Sequence, residues 1–193
     1  MGQLPVHRKK LYGTATVGTK GQIVIPADAP GPVEYEGELV AVIGVGGRNI
    51  PLDDALDHVA GYSVFHDASV RDFQRKTTQY TPGKNFDGTG GFGPELVTPD
   101  ELPPGASGLR ISTTIGGEVL QDSNTANLIF DVAHLVEVIS GVLTLEPGDL
   151  IVTGTPAGVG AARTPPRWMV PGEEVEVSIA GIGTLRNPIE KGL

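Results

Sequence analysis

The chain of 193 residues contains no cysteine. That removes disulfide bridges, thiolate nucleophiles and cysteine-ligated zinc together. No run approaches the roughly 20 apolar residues that a membrane-spanning helix needs. Basic residues are scarce: 14 Lys and Arg stand against 23 Asp and Glu, for a formal net charge of −9. A nucleic-acid binder needs a basic surface, and the cluster Arg8-Lys9-Lys10 is too short to make one. The first ten residues hold no apolar stretch of the signal-peptide kind, and Val6 breaks the myristoylation pattern. No G-x-S-x-G elbow and no Gly-Lys-Ser/Thr occurs, which argues against a serine hydrolase of that type and against a P-loop. These absences point to a cytoplasmic chain with neither a membrane nor a nucleic acid as partner.

Glycine and proline are abundant instead, with 28 and 16 residues. Together they make about 23% of the chain, roughly twice the usual share. There is no G-X-Y period, so the composition is not collagen. A hydrophobic fraction of 39% and a mean hydropathy of −0.01 are too high for a disordered chain. The length suits one domain that buries its core without staples, built of many turns and short strands. Strands are expected at Gln22–Pro26, Glu38–Val45, Ala60–His66, Leu109–Ile115, Glu118–Gln121, Leu150–Thr153, Glu174–Ile179 and Thr184–Arg186. Gly116-Gly117 reads as a two-residue hairpin turn. The spacing of Leu52, Ala55, Leu56 and Val59 predicts a helix, and that of Leu128 to Ile139 a longer one closed by Gly141. Ser69–Lys76 is a short helix candidate, and residues 77–108 read as a long Gly/Pro-rich loop.

Four segments carry residues capable of chemistry. Glu36-Gly37-Glu38 enters an apolar strand, and positions i and i+2 of a strand face the same side. Two carboxylates so placed repel unless a cation or proton lies between them, and an all-oxygen set suits Mg²⁺, Mn²⁺ or Ca²⁺. Two solvated acids on a strand edge is the plainer alternative. Asp67 ends a strand, and Arg71 and Gln74 become i, i+3 neighbours if Ser69 onward is helical. An acid, a guanidinium and an amide converging there suit a metal and an anionic substrate, while an N-cap acid on a surface helix would look the same. His66 should point away from Asp67. Lys84 sits in Gly83-Lys84-Asn85-Phe86-Asp87, followed by Gly88, Gly90 and Gly93. Those three glycines match G-x-G-x-x-G literally, but no strand precedes, Pro94 follows and no amphipathic helix opens, so a dinucleotide fingerprint is rejected. Thr153 to Gly160 follows a strand, and its N–H groups with the Thr155 hydroxyl suit a carboxylate. His58 and His134 read as helix surface and His7 as part of a basic tail.

Taken in order, Tyr35-Glu36-Gly37-Glu38-Leu39, Ala60 to Gln74, Gly83 to Asp87, Phe92-Gly93-Pro94, Leu145 to Gly160 and Gly181 to Asn187 resemble the fumarylacetoacetate hydrolase family. The resemblance implies a mainly β fold with a few helices (α+β), a mixed β-sandwich roll, as a homodimer. Residues 1–20 would be an N-terminal tail or truncated lead-in, and 21–193 a single catalytic domain. It implies Mg²⁺ or Mn²⁺, with Ca²⁺ as a further candidate, on Glu36, Glu38 and Asp67. Lys84 would stabilise negative charge on a small 2-oxo acid, and Arg71, Gln74 and Thr155 would contact its carboxylate or keto end. The implied reaction is hydrolysis of the C–C bond of an acylpyruvate-type substrate through a metal-stabilised enolate. Oxaloacetate-type decarboxylation and enol/keto isomerisation are the alternatives within the family. Family members carry an upstream Asn-Tyr…His…Glu segment that forms a water-activating lid, whereas the first 20 residues here hold His7 and no acid. The expectation is a fragment or a naturally short member, with weight shifted toward decarboxylation or isomerisation. A lidless, non-catalytic binding or structural homologue is the rival from another class.

Overall fold

The computed structural model describes residues 15–27 and 31–192. The tail bearing His7 and Arg8-Lys9-Lys10 lies outside them. Twelve strands are described: β1 (Thr16–Val17), β2 (Ile23–Ile25), β3 (Val33–Glu34), β4 (Gly37–Ile43), β5 (Val59–Asp67), β6 (Ser69–Val70), β7 (Gly90–Val97), β8 (Arg110–Ile115), β9 (Glu118–Asn124), β10 (Leu150–Val152), β11 (Glu174–Ile179) and β12 (Gly183–Lys191). Two α-helices accompany them, α1 (Arg71–Gln74) and α2 (Val132–Val142). One five-stranded sheet runs β1-β7-β5-β4-β10, a second runs β2-β12-β11-β8-β9, and β3 pairs with β6. The many short strands that the patterning suggests are present, and they form the mainly β roll that the resemblance implies.

The apolar run expected from Glu38 is β4, at the centre of the first sheet. It pairs antiparallel with β5 on one side and β10 on the other. Its Leu39, Val40, Ala41 and Ile43 are at most 1% exposed, as a strand covered on both faces requires. From the second sheet, Ile115, Val177, Ile179, Leu185 and Ile189 are buried to the same degree. Full burial of each such side chain contributes about 1.5–3 kcal/mol. Gly116 and Gly117, with φ of 59° and 82°, turn the β8–β9 hairpin as expected.

Three expectations need correction. Residues 77–108 are not one loop: β7 runs through them and joins β1 to β5. Its composition hides it, because the second sheet lies too close for side chains. A Cβ at Gly91 would meet Asn187 Oδ1 at 2.6 Å and Leu185 Cδ2 at 3.2 Å. Strand propensity is a statement about packing, and here only the absence of a side chain packs. The segment from Leu52 is a 3-10 helix ending at His58, since Val59 already belongs to β5. The long helix starts at Val132 rather than Leu128, because the Asp131 carboxylate caps it by accepting from the His134 N–H at 2.9 Å. Gly141 lies inside its last turn. No helix among the described residues is long and apolar enough to cross a membrane.

Tyr62, 1% exposed in β5, gives the fold a pH signature. Burial pushes its phenol from 10.0 up to about 12. A raised folded-state value favours the neutral form, so the contribution is complete below pH 10 and disappears as pH rises through 12. Urea unfolding followed over that alkaline range should show Tyr62→Phe losing less stability than the parent protein. Parallel losses in the two would contradict this origin.

Candidate functional site

The acidic cluster follows from strand geometry. Asp67 N donates to Glu36 O at 2.8 Å, one step beyond the Gly37–His66 and Glu38–Phe65 pairs of β4 and β5. Residues opposed across antiparallel strands share a face, as do i and i+2 along one strand. Glu36, Glu38 and Asp67 therefore share one face, while Gly37 and His66 turn to the other. The three carboxylates each offer an oxygen within 4.8 Å of the others, and all three residues are buried. Gly37 is required between the two glutamates. A Cβ there would lie 2.2 Å from Thr113 Oγ1 and 2.9 Å from Val177 Cγ1 of the second sheet.

Lys84 closes the cluster. It ends a 3-10 helix, Thr81–Lys84, that is pressed against α1. Gly83 makes that approach feasible, since a Cβ there would meet Gln74 N at 2.5 Å. Phe73 and Phe86 meet edge to face at 4.9 Å and hold the same contact. Lys84 Nζ donates to Glu36 Oε2 and to Asp67 Oδ2, both at 2.7 Å. Lys84 is 7% exposed, so it meets the acids where water screens little. Three carboxylates against one ammonium leave two negative charges in a buried, all-oxygen cluster. That donor set matches a hard divalent cation.

Further contacts orient these groups. Ser69 Oγ donates to Glu36 Oε1 at 3.1 Å. The Gly154 N–H donates to Glu38 Oε2 at 2.6 Å. Thr155 Oγ1 donates to Gly37 O at 3.0 Å and accepts from Gln121 Nε2 at 2.8 Å. Gln121 Oε1 accepts from Gly37 N at 3.0 Å and from Thr113 Oγ1 at 2.7 Å. One buried amide thus ties the second sheet, the 153–157 loop and β4 together. Nearby, Tyr35 donates its hydroxyl to Gly158 O at 2.9 Å. Burial pushes that phenol up, with the Arg163 guanidinium opposing.

A cavity of about 260 Å³ opens on the cluster. Its walls include Glu36, Glu38, Asp67, Gln74, Lys84 and Thr155, with Tyr80, Leu135, Ile139 and Ile151 beside them. Six of the seven residues singled out from sequence thus meet at one cavity. Arg71 does not line it. Its guanidinium donates to Glu34 Oε2 at 3.0 Å and to Gln74 Oε1 at 2.6 Å, which fulfils the i, i+3 pairing expected on α1. Glu34, 1% exposed, also accepts from Ala161 N at 2.6 Å. Sequence reasoning missed Gln121, Glu34 and Tyr80. Apart from Thr113 across the hairpin, Gln121 and Glu34 act through partners 34 to 127 positions away, so no local pattern marks them. Tyr80 lay in the stretch read as loop.

The ion pairs predict how the cluster responds to loss of its ammonium. Removing one partner from a buried pair costs about 3–5 kcal/mol. Lys84→Met should lower stability by that order in a chelator at neutral pH. Excess Mn²⁺ should then recover a larger increment in melting temperature than in the parent. Unchanged stability in chelator would contradict the cluster described.

Comparison with known proteins agrees with the architecture. A family model described as Fumarylacetoacetate (FAA) hydrolase C-terminal matches residues 7–190. An uncharacterized protein of Archaeoglobus fulgidus is 44% identical over 178 residues, covering 92% of this chain and 66% of that protein. The structure of a fumarylacetoacetate hydrolase from psychrophilic Exiguobacterium antarcticum is similar with a TM-score of 0.88 at 39% identity, over 93% of this chain and 64% of that one. A 5-carboxymethyl-2-hydroxymuconate delta-isomerase from Mycobacterium smegmatis gives 0.84 at 40% identity, over 93% and 67%. The chain spans just under two thirds of the length of the curated relatives it matches. With the family model matched over nearly its whole length, and the two-sheet roll shared at this level of identity, the chain belongs to the fumarylacetoacetate hydrolase family.

Proposed function

We propose that this chain is a Mg²⁺- or Mn²⁺-dependent enzyme that hydrolyses the C–C bond of a small acylpyruvate-type 2-oxo acid. The observation that carries the reading is the trio of buried carboxylates with ligand atoms within 4.8 Å, facing a cavity that Lys84 and Gln74 also line. When bound, a hard divalent ion on Glu36, Glu38 and Asp67 supplies Lewis-acid polarisation of a carbonyl.

The chain's own residues do the rest. Gly154 N–H and Ser69 Oγ hold two of the carboxylates in place, so no reorganisation is needed at the moment of reaction. Lys84 Nζ offers hydrogen bonds and positive charge to the keto oxygen as it gains negative charge. Arg71 is a donor only, so it takes Gln74 by its carbonyl oxygen. The group Gln74 offers the substrate is therefore its amide N–H pair, and Arg71 acts as a positioning residue. The Thr155 hydroxyl spends its one proton on Gly37 O and accepts from Gln121, so Thr155 meets the carboxylate end through its backbone N–H. Leu135, Ile139 and Ile151 displace water and strengthen these interactions. In the overall reaction the bond between the acyl carbon and the neighbouring methylene breaks. Water gives its hydroxyl to the acyl carbon and a proton to the methylene, releasing a carboxylic acid and pyruvate.

A second reading within the family is enol–keto isomerisation or decarboxylation of the same class of acid. The likeness to the Mycobacterium smegmatis isomerase favours it. Both reactions need charge stabilisation on the same oxygen and no activated water.

The test is turnover of an acylpyruvate and of oxaloacetate, each with Mn²⁺ and with chelator. Metal-dependent release of pyruvate from the acylpyruvate is the expected result. Turnover of oxaloacetate alone would move the assignment to the second reading, and a folded sample inert toward both would refute it. Glu38→Gln removes one hard anionic ligand. It should abolish the metal-induced rise in melting temperature and depress any turnover by at least about a hundredfold, the upper end seen for groups that support a metal site.

A further inference from the structure

A second cavity, of about 420 Å³, lies between the β8–β9 hairpin, the approach to α2 and the 153–157 loop. It falls within the about 300–1,000 Å³ typical of small-molecule sites. Leu135, Thr153, Gly154 and Thr155 line both this cavity and the acidic one. The ridge between them is low, because a Cβ built at Gly154 meets no atom within 4 Å. The chemistry of the two compartments differs sharply. The acidic one holds the three carboxylates and Lys84. The larger one is walled by apolar groups such as Ile111, Leu128, Ile129 and Phe130, and its polar members are neutral hydroxyls and amides. Among the described residues, none that lines it carries a charge. The Arg110–Asp122 ion pair on the hairpin has side chains 63% and 51% exposed, so its charge is spent in solvent.

We infer that the larger cavity is the subsite for the far end of the substrate, and that it takes an uncharged apolar chain rather than a second carboxylate. The inference rests on the proposed function for the acidic end and adds the class of tail. A 2-oxo acid whose oxygens sit at the acidic cluster directs its chain over Gly154 into this space. Each methylene buried there gains the usual transfer free energy, which corresponds to about fourfold in affinity. A carboxylate at the chain end would lose its hydration with no cation to replace it.

Calorimetry in saturating Mn²⁺ tests this without relying on turnover. The probes are pyruvate, 2-oxohexanoate, 2-oxooctanoate and the eight-carbon 2-oxo diacid. Affinity should climb along the monoacid series by about fourfold per methylene, and the diacid should bind at least tenfold more weakly than 2-oxooctanoate. Ala157 is exposed and lines the larger cavity alone. Ala157→Trp should fill the space and flatten the chain-length dependence. Pyruvate binding with no gain along the series, or a diacid that binds as tightly as its monoacid, overturns the subsite and leaves the proposed function standing. Failure of all four acids to bind overturns the proposed function, and the subsite with it.

Discussion

Three carboxylates held together out of water set the terms for everything around them. Like charges at this spacing repel unless something positive intervenes, and their desolvation is costly. Lys84 answers part of that charge with two contacts of 2.7 Å. The remainder distinguishes the cluster from a set of ordinary ion pairs and suits a hard cation. It also explains why the surroundings are so heavily hydrogen-bonded. Glu36 accepts from Ser69, Glu38 from a backbone N–H, and Glu34 one step away is met by Arg71 and by Ala161 N.

The division of labour between the elements is uneven. Glu38 and Asp67 sit on the paired strands β4 and β5, with Glu36 immediately before β4, in a sheet whose core residues are almost wholly buried. Lys84 and Gln74 come from two short helical pieces packed on each other through Gly83 and an aromatic pair. The first group is as fixed as the fold itself. The second lies outside the strand ladders and is held by side-chain contacts instead.

Much of this was legible in the amino-acid sequence, for physical reasons that differ by residue. Glu36 and Glu38 announce a shared face because strand periodicity is two, and Asp67 joins them because it ends the neighbouring strand. Arg71 and Gln74 are neighbours by helical spacing, yet their placement shows the guanidinium spent on Glu34 and the amide oxygen. Nothing local reveals such competition, since Glu34 lies 37 positions away from Arg71. β7 escaped because its glycines are demanded by the opposite sheet, and sheet packing is not written in a strand's own propensity. Gln121 escaped for the same reason in reverse: a polar residue in a half-wet hairpin looks like surface, but is 1% exposed against the loop that carries Thr155.

The long reach of Gln121 and its companions bears on how the molecule comes to exist. Gly37 and Gln121 are 84 residues apart, Glu38 and Gly154 116, and Gly37 and Thr155 118. Contacts of such separation are late events in folding, because chain entropy must be surrendered before they return anything. A growing polypeptide therefore carries the β4–β5 pairing that gathers the three acids before Gln121 and the Gly154 N–H are there to hold them. The hydrogen bonds from Gly154 to Glu38 and from Thr155 to Gly37 form only once β10 and the turn after it have docked. The contacts that fix the acidic cluster in place are thus completed late, by segments far along the chain from the acids they hold.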